Sequence, residues 1–305
     1  MVSQASRAAR PIIAAIGNFD GVHRGHQALL DAAAARAAAI DGVLGAVVFD
    51  PHPRMYFRPD DPPFLLTSPE MRDALLRAHG ATEIFSAAFD AALAAMTPQQ
   101  FVEDVLRDRF GLAGVLTGPE FRFGAGRAGD AATLARLCAD VGMTADTVDL
   151  LATGDSAEKI GSSGVRAALK AGDPKAAAAM LGRPWRVVGT VAEGRKLGRT
   201  IGFPTANVLL GDLIEPKYGV YAVSVNVGEE TYGGVANFGR RPTVGGEATL
   251  LEAHLFDVSL DLYGREIAVD FLDFIREERK FDGLDALKAQ IAADGEAARG
   301  IVAAR

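Results

Sequence analysis

Residues 17–26 read GNFDGVHRGH and lie between two segments of different composition. The preceding segment, residues 12–16 (IIAAI), is apolar and predicts a buried strand, whereas residues 26–40 (HQALLDAAAARAAAI) consist mostly of strong helix formers. Glycines in such a strand-to-helix turn let backbone N–H groups approach a polyphosphate, and the positive end of the following helix favours an anion. The turn therefore predicts a phosphate-binding site after the first strand.

The rest of the first half continues the alternation of strand and helix. Further strands are predicted at residues 45–49, 115–117 and 147–150, with helices at residues 98–110 and 131–141. Repeated strand–helix units favour a parallel, Rossmann-like α/β sheet that is covered on both faces. Ligands of such sheets bind beyond the carboxyl ends of the strands.

The second half has the pattern of an antiparallel β-structure. Apolar, β-rich segments at 187–191, 220–225, 250–256 and 267–271 are separated by turns containing Gly and Pro, and only residues 284–304 indicate a long helix. We expect a small antiparallel β-barrel with a C-terminal helix. The predicted domains are residues 1–182 and 183–305.

Composition and charge argue against some classes of binding partner and favour one kind of cellular compartment. The net charge of −7 argues against a nucleic-acid partner, because neutralising phosphates requires an excess of Lys and Arg. Cys138 is the only cysteine, so no disulfide framework can form within the chain, and a reducing compartment is favoured. No signal-peptide pattern or long apolar run is present, so we expect a cytoplasmic protein without a membrane partner. The oligomeric state is left open.

Three of the five histidines follow predicted strands. His23 and His26 are three residues apart and can project from the same side of the turn, while His52 follows the second strand. Imidazoles placed there can donate hydrogen bonds to phosphate oxygens and offset charge that develops in a transition state. The alternatives are a purely structural glycine-rich turn with surface histidines, or a zinc site, for which no convincing carboxylate or cysteine set is present.

Residues 189–207 are a second candidate site. They combine glycines and cations with the hydroxyl of Thr205 and the side-chain carbonyl of Asn207, which are hard oxygen ligands suited to Mg²⁺. The stretch contains no Walker A motif. An exposed basic hairpin, or an ordinary turn leading into a strand, would have the same composition.

These motifs together resemble one bacterial family. HxGH after a first strand is similar to the nucleotidyltransferase superfamily. The longer strings GNFDGVHRGH (17–26), FDPHP (49–53) and GPEFRFG (118–124) resemble the adenylyltransferase half of bifunctional riboflavin kinase/FMN adenylyltransferases. GFPTAN (202–207) resembles the riboflavin kinase signature of the same family. The resemblance extends from about residue 11 to residue 300.

The resemblance implies ATP-dependent phosphorylation of riboflavin to FMN, followed by transfer of AMP from ATP to FMN, which gives FAD and pyrophosphate. It implies Glu252 as the base of the kinase, with a strand-face ion pair as the competing interpretation, and Mg²⁺ binding by Thr205 and Asn207. His23 and His26 are the catalytic candidates of the adenylyltransferase. The implied nucleotide contacts are Gly17, Phe19, Asp20, Gly21, Gly25, Ser162, Ser163, Arg166, Gly194, Gly198, Arg199, Thr205 and Asn207, and the implied flavin contacts are His52, Arg122 and Arg276.

Three positions depart from the family pattern. Glu120 stands where the family usually has Asn, and Gly161 and Gly164 stand where the motif ISSSRIR has Ser and Arg. Because of these departures, a chain that acts only as a kinase is an alternative hypothesis. Two further hypotheses are adenylyl transfer to a different acceptor, and a flavin- or nucleotide-binding regulator without turnover.

Overall fold

The computed structural model describes residues 10–148, 160–192, 203–243, 246–258 and 260–304. The chain forms two compact units. The first contains residues 1–62 and 69–160, and the second contains residues 63–68 and 161–305. The predicted boundary between residues 182 and 183 remains a prediction.

The first unit is built on a five-stranded parallel sheet, which confirms the predicted class. Its strands are β1 (Ile12–Ile16), β2 (Val43–Asp50), β3 (Glu83–Ala88), β4 (Gly114–Thr117) and β5 (Thr144–Thr147). Their order is β3-β2-β1-β4-β5, so the chain reverses its direction of winding between β1 and β4. Such a switch point leaves a crevice at the carboxyl ends of the strands. The GNFDGVHRGH turn begins at this edge.

Helices cover both faces of this sheet. They are α1 (Arg24–Ala38), α2 (Pro53–Phe57), α3 (Pro69–Ala78), α4 (Ala91–Ala95), α5 (Pro98–Gln100), a π-helix (Phe101–Arg109) that continues α5, a short 3₁₀ turn (Ala125–Arg127) and α6 (Ala131–Asp140). On one face α1 buries Leu29 and Leu30 against β1 and β2. On the other face the π-helix and α6 bury Val102 and Leu134. Burial of these apolar side chains fixes α1 against the sheet and so fixes the turn before it.

Two sequence predictions in the first unit need correction. The last strand covers Thr144–Thr147 and not 147–150, and its residues 149–150 lie outside the described ranges. This edge strand is mostly exposed, so it lacks the apolar pattern on which the prediction depended. Strand β3 was not predicted, because its residues EIFSAA do not alternate cleanly between buried and exposed positions.

The second unit contains a six-stranded antiparallel sheet, as predicted for this half. Its strands are β6 (Trp185–Thr190), β7 (Ala206–Val208), β8 (Gly219–Val227), β9 (Glu230–Thr243), β10 (Gly246–Leu255) and β11 (Glu266–Arg276), in the order β6-β11-β8-β9-β10-β7. The N–H of Ala192, just after β6, donates to the carbonyl of Asn207 in β7 at 2.9 Å. This antiparallel bridge brings the two edges of the sheet together and curls it into a barrel.

In the described part of the second unit, three helices and a short segment pack with the sheet. The helices are α7 (Ser162–Ala171), α8 (Pro174–Leu181) and α9 (Leu284–Ala303). Residues 63–68 pack here although they precede α3 in the sequence: the indole N–H of Trp185 donates to the Leu66 carbonyl at 2.9 Å, and Leu65 bridges Leu213. Within the described ranges, no helix has both the length and the apolarity needed to cross a membrane.

Candidate active sites

His23 ends the turn of the first unit and caps α1. Its Nδ1 accepts a hydrogen bond from the backbone N–H of His26 at 3.3 Å. Since an accepting Nδ1 carries no proton, the proton of the neutral His23 ring is on Nε2. The ring is buried, with 4% of its surface exposed. The capping bond therefore fixes both the orientation of this imidazole and the nitrogen from which it can donate.

His26 stacks on His23. The two ring centroids are 3.6 Å apart, with an interplanar angle of 16°. Burial lowers the pKa of His26 well below its usual value, and the neighbouring His23 lowers it further. His26 Nδ1 is buried and has no hydrogen-bond partner among the residues that the structure describes. The structure thus presents two imidazoles side by side, and the environment of His26 disfavours its charged form.

The backbone of the turn is held in an uncommon conformation. Phe19 (φ 52°), Gly21 (φ 83°) and Val22 (φ 40°) all have positive φ. A left-handed conformation is costly for a β-branched residue such as Val22, on the order of 1–3 kcal/mol, and it tends to persist where function requires it. The Gln27 side chain donates to the Val22 carbonyl at 2.9 Å and holds this conformation in place.

Close packing at the start of α1 explains one glycine of the motif. A Cβ atom at Gly25 would lie within 3.2 Å of the His23 ring and of the Ile160 carbonyl oxygen. A side chain here would therefore push the imidazole away from its capping position. Asp20, buried in the same turn, and Gly17, directly after β1, complete the predicted nucleotide-binding set that the first unit contributes.

His52 follows β2 in a similar way. Its Nδ1 accepts from the backbone N–H of Arg54 at 3.1 Å and caps the short helix α2. Asp50, at the end of the same strand, forms a two-bonded ion pair with Arg72 at 3.0 and 2.9 Å. These hydrogen bonds from Arg72 lower the pKa of Asp50. Asp50 is thus held as a carboxylate that anchors the strand end next to His52.

An aromatic cluster beside His52 was missed by sequence reasoning. Tyr56, Phe57 and Phe89 form edge-to-face contacts, with centroid separations of 5.1 to 5.6 Å. Phe57 is 65% exposed, which is unusual for a large apolar side chain. Tyr56 and Phe57 follow the FDPHP motif closely in the sequence, and this closeness is the signal that could have identified the cluster. Such a surface suits a flat aromatic ligand.

Arg122 lies after β4 and is exposed. Its guanidinium donates to the Phe121 carbonyl at 3.4 Å, and the neighbouring rings of Phe121 and Phe123 are stacked with centroids 5.5 Å apart. Glu120, which replaces the family's usual Asn, is also exposed. The flavin contact implied for Arg122 stays a prediction.

Residues 161–166 (GSSGVR), which resemble the family motif ISSSRIR, belong to the second unit. Gly161 occupies the N-cap position of α7, and Ser162 and Ser163 are the first residues of the helix. Arg166 donates through Nε to the Phe64 carbonyl at 2.8 Å, and its guanidinium lies 5.2 Å from the Phe64 ring centroid. The triphosphate contacts implied for this motif stay predictions.

Strand register builds the candidate site of the barrel. Glu252 in β10 pairs directly with Asn207 in β7 on one side and with Asn237 in β9 on the other. Directly opposed residues of an antiparallel sheet have Cβ atoms about 4.5–5.5 Å apart. The carboxylate predicted as a base and the amide predicted as a metal ligand are therefore neighbours, although they are distant in the sequence.

Asn207 has an unused acceptor. Its side-chain carbonyl oxygen is buried and has no hydrogen-bond partner within the described ranges, and only 8% of the residue is exposed. A buried polar atom without a partner costs about 1–3 kcal/mol, so it calls for an explanation. Binding of a hard cation would explain it, because carbonyl oxygens are preferred ligands of Mg²⁺. No described group of three or more His, Cys, Asp or Glu residues is arranged to hold a metal, so the zinc alternative has no ligand set in this part of the chain.

Two further contacts surround this site and were not predicted. The His254 ring donates from Nδ1 to the Pro204 carbonyl at 2.8 Å. Asn237 donates from its side-chain amide to Glu278 at 3.1 Å. Neither pairing can be read from the sequence, because each depends on how β7, β9 and β10 align.

Arg276 is engaged within the second unit. Its Nε donates to Asp294 of α9 at 2.9 Å, and a terminal nitrogen donates to the same carboxylate at 2.6 Å. Asp294 is buried. This ion pair docks α9 on the end of β11, and the flavin contact implied for Arg276 stays a prediction. Gly194, Gly198 and Arg199 lie outside the described residues.

Comparison with known proteins matches both halves of the chain. The FAD synthetase family profile matches residues 5–164, and the riboflavin kinase profile matches residues 181–302. The bifunctional riboflavin kinase/FMN adenylyltransferase of Escherichia coli K12 is 42% identical over 285 residues, which cover 93% of this chain and 90% of that protein. The Pseudomonas fluorescens protein of the same name is 40% identical over 298 residues, covering 96% and 94%.

A solved structure matches the same span. The crystal structure described as a macrolide-efflux protein from Streptococcus pneumoniae has a TM-score of 0.85 and 30% identity, covering 96% of this chain and 94% of that one. The extent and identity of the matches to the curated enzymes decide the family. The chain belongs to the bifunctional riboflavin kinase/FMN adenylyltransferases, which use ATP to convert riboflavin to FMN and FMN to FAD.

Proposed function

We propose that the turn around His23 and His26 carries out adenylyl transfer, and that the strands around Asn207 and Glu252 carry out riboflavin phosphorylation. One observation supports both assignments: in the part of the chain that the structure describes, each candidate site contains a buried polar atom without a partner. These atoms are His26 Nδ1 in the turn and the Asn207 side-chain carbonyl oxygen in the barrel. Buried polar atoms without a partner are rare in folded proteins, and each one calls for an explanation, of which a bound ligand or ion is one.

In adenylyl transfer an FMN phosphate oxygen attacks the α-phosphorus of ATP. A phosphorus–oxygen bond to FMN forms, the bond to the β-phosphate oxygen breaks, and pyrophosphate leaves. Because the attacking oxygen is already anionic, the enzyme needs no strong base and acts by positioning and by stabilising charge. We assign this role to His23, which has a proton on Nε2, to His26, and to the N–H groups of the turn that precedes α1.

The aromatic cluster is our proposed platform for the isoalloxazine ring of FMN. Tyr56, Phe57 and Phe89 provide an exposed apolar surface next to His52, on the carboxyl-end side of β2 and β3. Stacking on such rings contributes about 0.5–1.5 kcal/mol per pair beyond the burial of surface. Arg122 and Arg276 are kept as proposed flavin contacts because of the family resemblance. Ser162, Ser163 and Arg166 are kept in the same way as contacts of the triphosphate.

In the kinase reaction we assign Glu252 as the general base. Its carboxylate takes the proton of the ribityl 5′-hydroxyl as that oxygen attacks the γ-phosphorus of ATP, and the bond between the γ-phosphorus and the bridging oxygen breaks to release ADP. Strand pairing places Glu252 beside Asn207, so the base and the nucleotide-binding segment meet on one surface of the barrel.

Mg²⁺ fits the donors of the barrel site. The unsatisfied carbonyl oxygen of Asn207 and the hydroxyl of Thr205, two residues before it, are hard oxygen ligands. When bound, the cation neutralises charge on the phosphate oxygens. The chain's own residues orient the nucleotide and take up the hydroxyl proton. We further propose a cytoplasmic location, consistent with a single cysteine that is buried and whose pKa burial raises to about 11.

Chromatography of the products tests this assignment directly. Purified protein is incubated with riboflavin, ATP and Mg²⁺, and in parallel with FMN, ATP and Mg²⁺, with EDTA controls. We expect FMN followed by FAD in the first reaction, FAD in the second, and neither product with EDTA. FMN without FAD in both reactions would contradict the adenylyl-transfer site and favour the kinase-only alternative. Full activity in EDTA would contradict the metal assignment.

A further inference from the structure

We propose that His254 is a positioning residue of the riboflavin kinase site: its imidazole fixes the segment that carries Thr205 and Asn207 with respect to Glu252. The inference rests on the kinase site proposed above. It assigns a role to a side chain that neither binds the metal nor takes the proton.

The backbone ladder between β7 and β10 stops just before Thr205. Val208, Asn207 and Ala206 pair with Leu251, Glu252 and Ala253, and the pairing goes no further. Pro204 lies beyond its end and has no N–H group, so it cannot extend the ladder as a donor. The segment that carries the proposed metal ligands would therefore lose its backbone support close to the position where the chemistry requires it to be fixed.

His254 supplies the missing hydrogen bond. Its Nδ1 lies 2.8 Å from the Pro204 carbonyl oxygen, and since that oxygen can only accept, Nδ1 carries the proton. Both the neutral ring with its proton on Nδ1 and the imidazolium can donate this bond. Pro204 is exposed, so without this bond its carbonyl would turn to water and the segment would lose a fixed contact with β10. The His254 side chain thus provides the hydrogen bond that a paired strand would otherwise provide.

Packing holds the ring in the orientation that makes this bond. Phe203 meets the His254 ring nearly edge-on, with centroids 5.5 Å apart, and Phe256 contacts it in the same manner at 6.1 Å. Edge-to-face contacts at these separations restrict ring rotation. Phe203 precedes Pro204 directly, so the imidazole contacts two consecutive residues of the same segment.

His254 and Glu252 lie on the same side of β10. Leu251, Ala253 and Leu255 are buried, whereas Glu252 and His254 between them are partly exposed. Residues two apart in a strand project from one face and are about 6.7 Å apart along it. One rigid strand therefore carries both the proposed base and the group that fixes the nucleotide-binding segment. This arrangement sets the distance between the base and the nucleotide.

The test compares His254→Leu with His254→Asn. Asparagine can place an N–H donor near the position of Nδ1, whereas leucine has a similar size and no donor. For the leucine variant we expect the KM for ATP in the kinase reaction to rise about ten-fold, with a smaller change in kcat. The asparagine variant should recover most of this loss. FAD formation from FMN by the same proteins should be unchanged, and the recovery in the asparagine variant is the control for folding of the barrel.

Three results would overturn the proposal: an unchanged KM in the leucine variant, equal impairment of the leucine and asparagine variants, or a parallel loss of FAD formation. Glu252→Gln is measured alongside. If Glu252→Gln abolishes phosphorylation while His254→Leu is normal, the proposed kinase site stands and only the role of His254 fails. If Glu252→Gln retains phosphorylation, the proposed kinase site itself fails.

Discussion

The turn at residues 17–26 and the paired strands β7, β9 and β10 assemble polar side chains by different means. In the turn, consecutive residues supply both imidazoles and the backbone N–H groups, at the cost of positive φ at Phe19 and Val22. In the barrel, regular strand geometry aligns Asn207, Asn237 and Glu252 from distant parts of the sequence. The turn site therefore depends on local conformation, and the barrel site depends on strand register.

Each site should accordingly be disabled without damage to the other. In both of them an unsatisfied polar atom marks a predicted residue. The following substitutions challenge this separation, in order of decreasing expected effect.

Glu252→Gln should reduce riboflavin phosphorylation by about 10²- to 10⁴-fold, because the amide cannot accept the hydroxyl proton. FAD formation from supplied FMN should be unchanged. Both rates are measured on one preparation by product chromatography. Glu266→Gln, at the exposed start of β11, is the matched control and should leave both rates as they are. A Glu252→Gln variant with normal kinase activity would make the carboxylate a structural feature of the strand.

His26→Gln should reduce FAD formation from FMN by about 10²- to 10³-fold, as expected for removing a group that stabilises transition-state charge. Riboflavin phosphorylation should be retained. His79→Gln provides a control at a histidine of the same unit that lies outside the turn. If FAD forms at the normal rate in His26→Gln, the stacked histidines have only a structural role.

Asn207→Leu should raise the KM for ATP in the kinase reaction about ten-fold or more, because the proposed oxygen ligand is lost. Without nucleotide, the thermal midpoint should stay the same or rise, since an unsatisfied buried carbonyl has been removed. The additional thermal stabilisation by ATP and Mg²⁺ should decrease. A large drop in the midpoint without nucleotide would indicate that this side chain is satisfied in the folded protein.

Thr117→Val is the smallest and most specific change. Thr117 ends β4, is 0% exposed, and its buried hydroxyl has no partner among the described residues. No ligand role is assigned to it, so removing the hydroxyl should raise the free energy of unfolding by about 1 kcal/mol and leave both reactions unchanged. Urea denaturation and the two product assays check this. Loss of FAD formation would place Thr117 in the adenylyl-transfer site and break the distinction between core and site.

The sequence predicts the local structure of the turn well, because strand, glycines, histidines and helix are contiguous. The strand predicted at 12–16 is observed at Ile12–Ile16, and α1 begins at Arg24, two residues before the predicted start. The sequence predicts contacts less well where they depend on pairing between strands that are distant in the sequence. His254 and Asn237 acquire their neighbours only from the register of β10, and residues 63–68 pack with the second unit although they lie within the first half of the sequence. No local pattern encodes these contacts.

Burial also distinguishes residues that the sequence alone does not distinguish. His23, His26 and His52 follow strands in the same way, yet His23 and His52 cap helices, whereas His26 has a lowered pKa and, among the described residues, a buried Nδ1 without a partner. Arg276 reads as a free cation in the sequence, whereas the structure pairs it with the buried Asp294. Charges and donors therefore have to be assigned from the fold, even where the motif identifies the family.

Mixing two variants tests the central claim, that separate sites carry the two reactions. Glu252→Gln and His26→Gln are each incubated with riboflavin, ATP and Mg²⁺, alone and as an equimolar mixture, and FAD is measured over time. We predict that neither variant alone forms FAD at a significant rate and that the mixture does, because FMN made by one protein is adenylylated by the other. Normal FAD formation by either variant alone, or its absence from the mixture, would contradict the account.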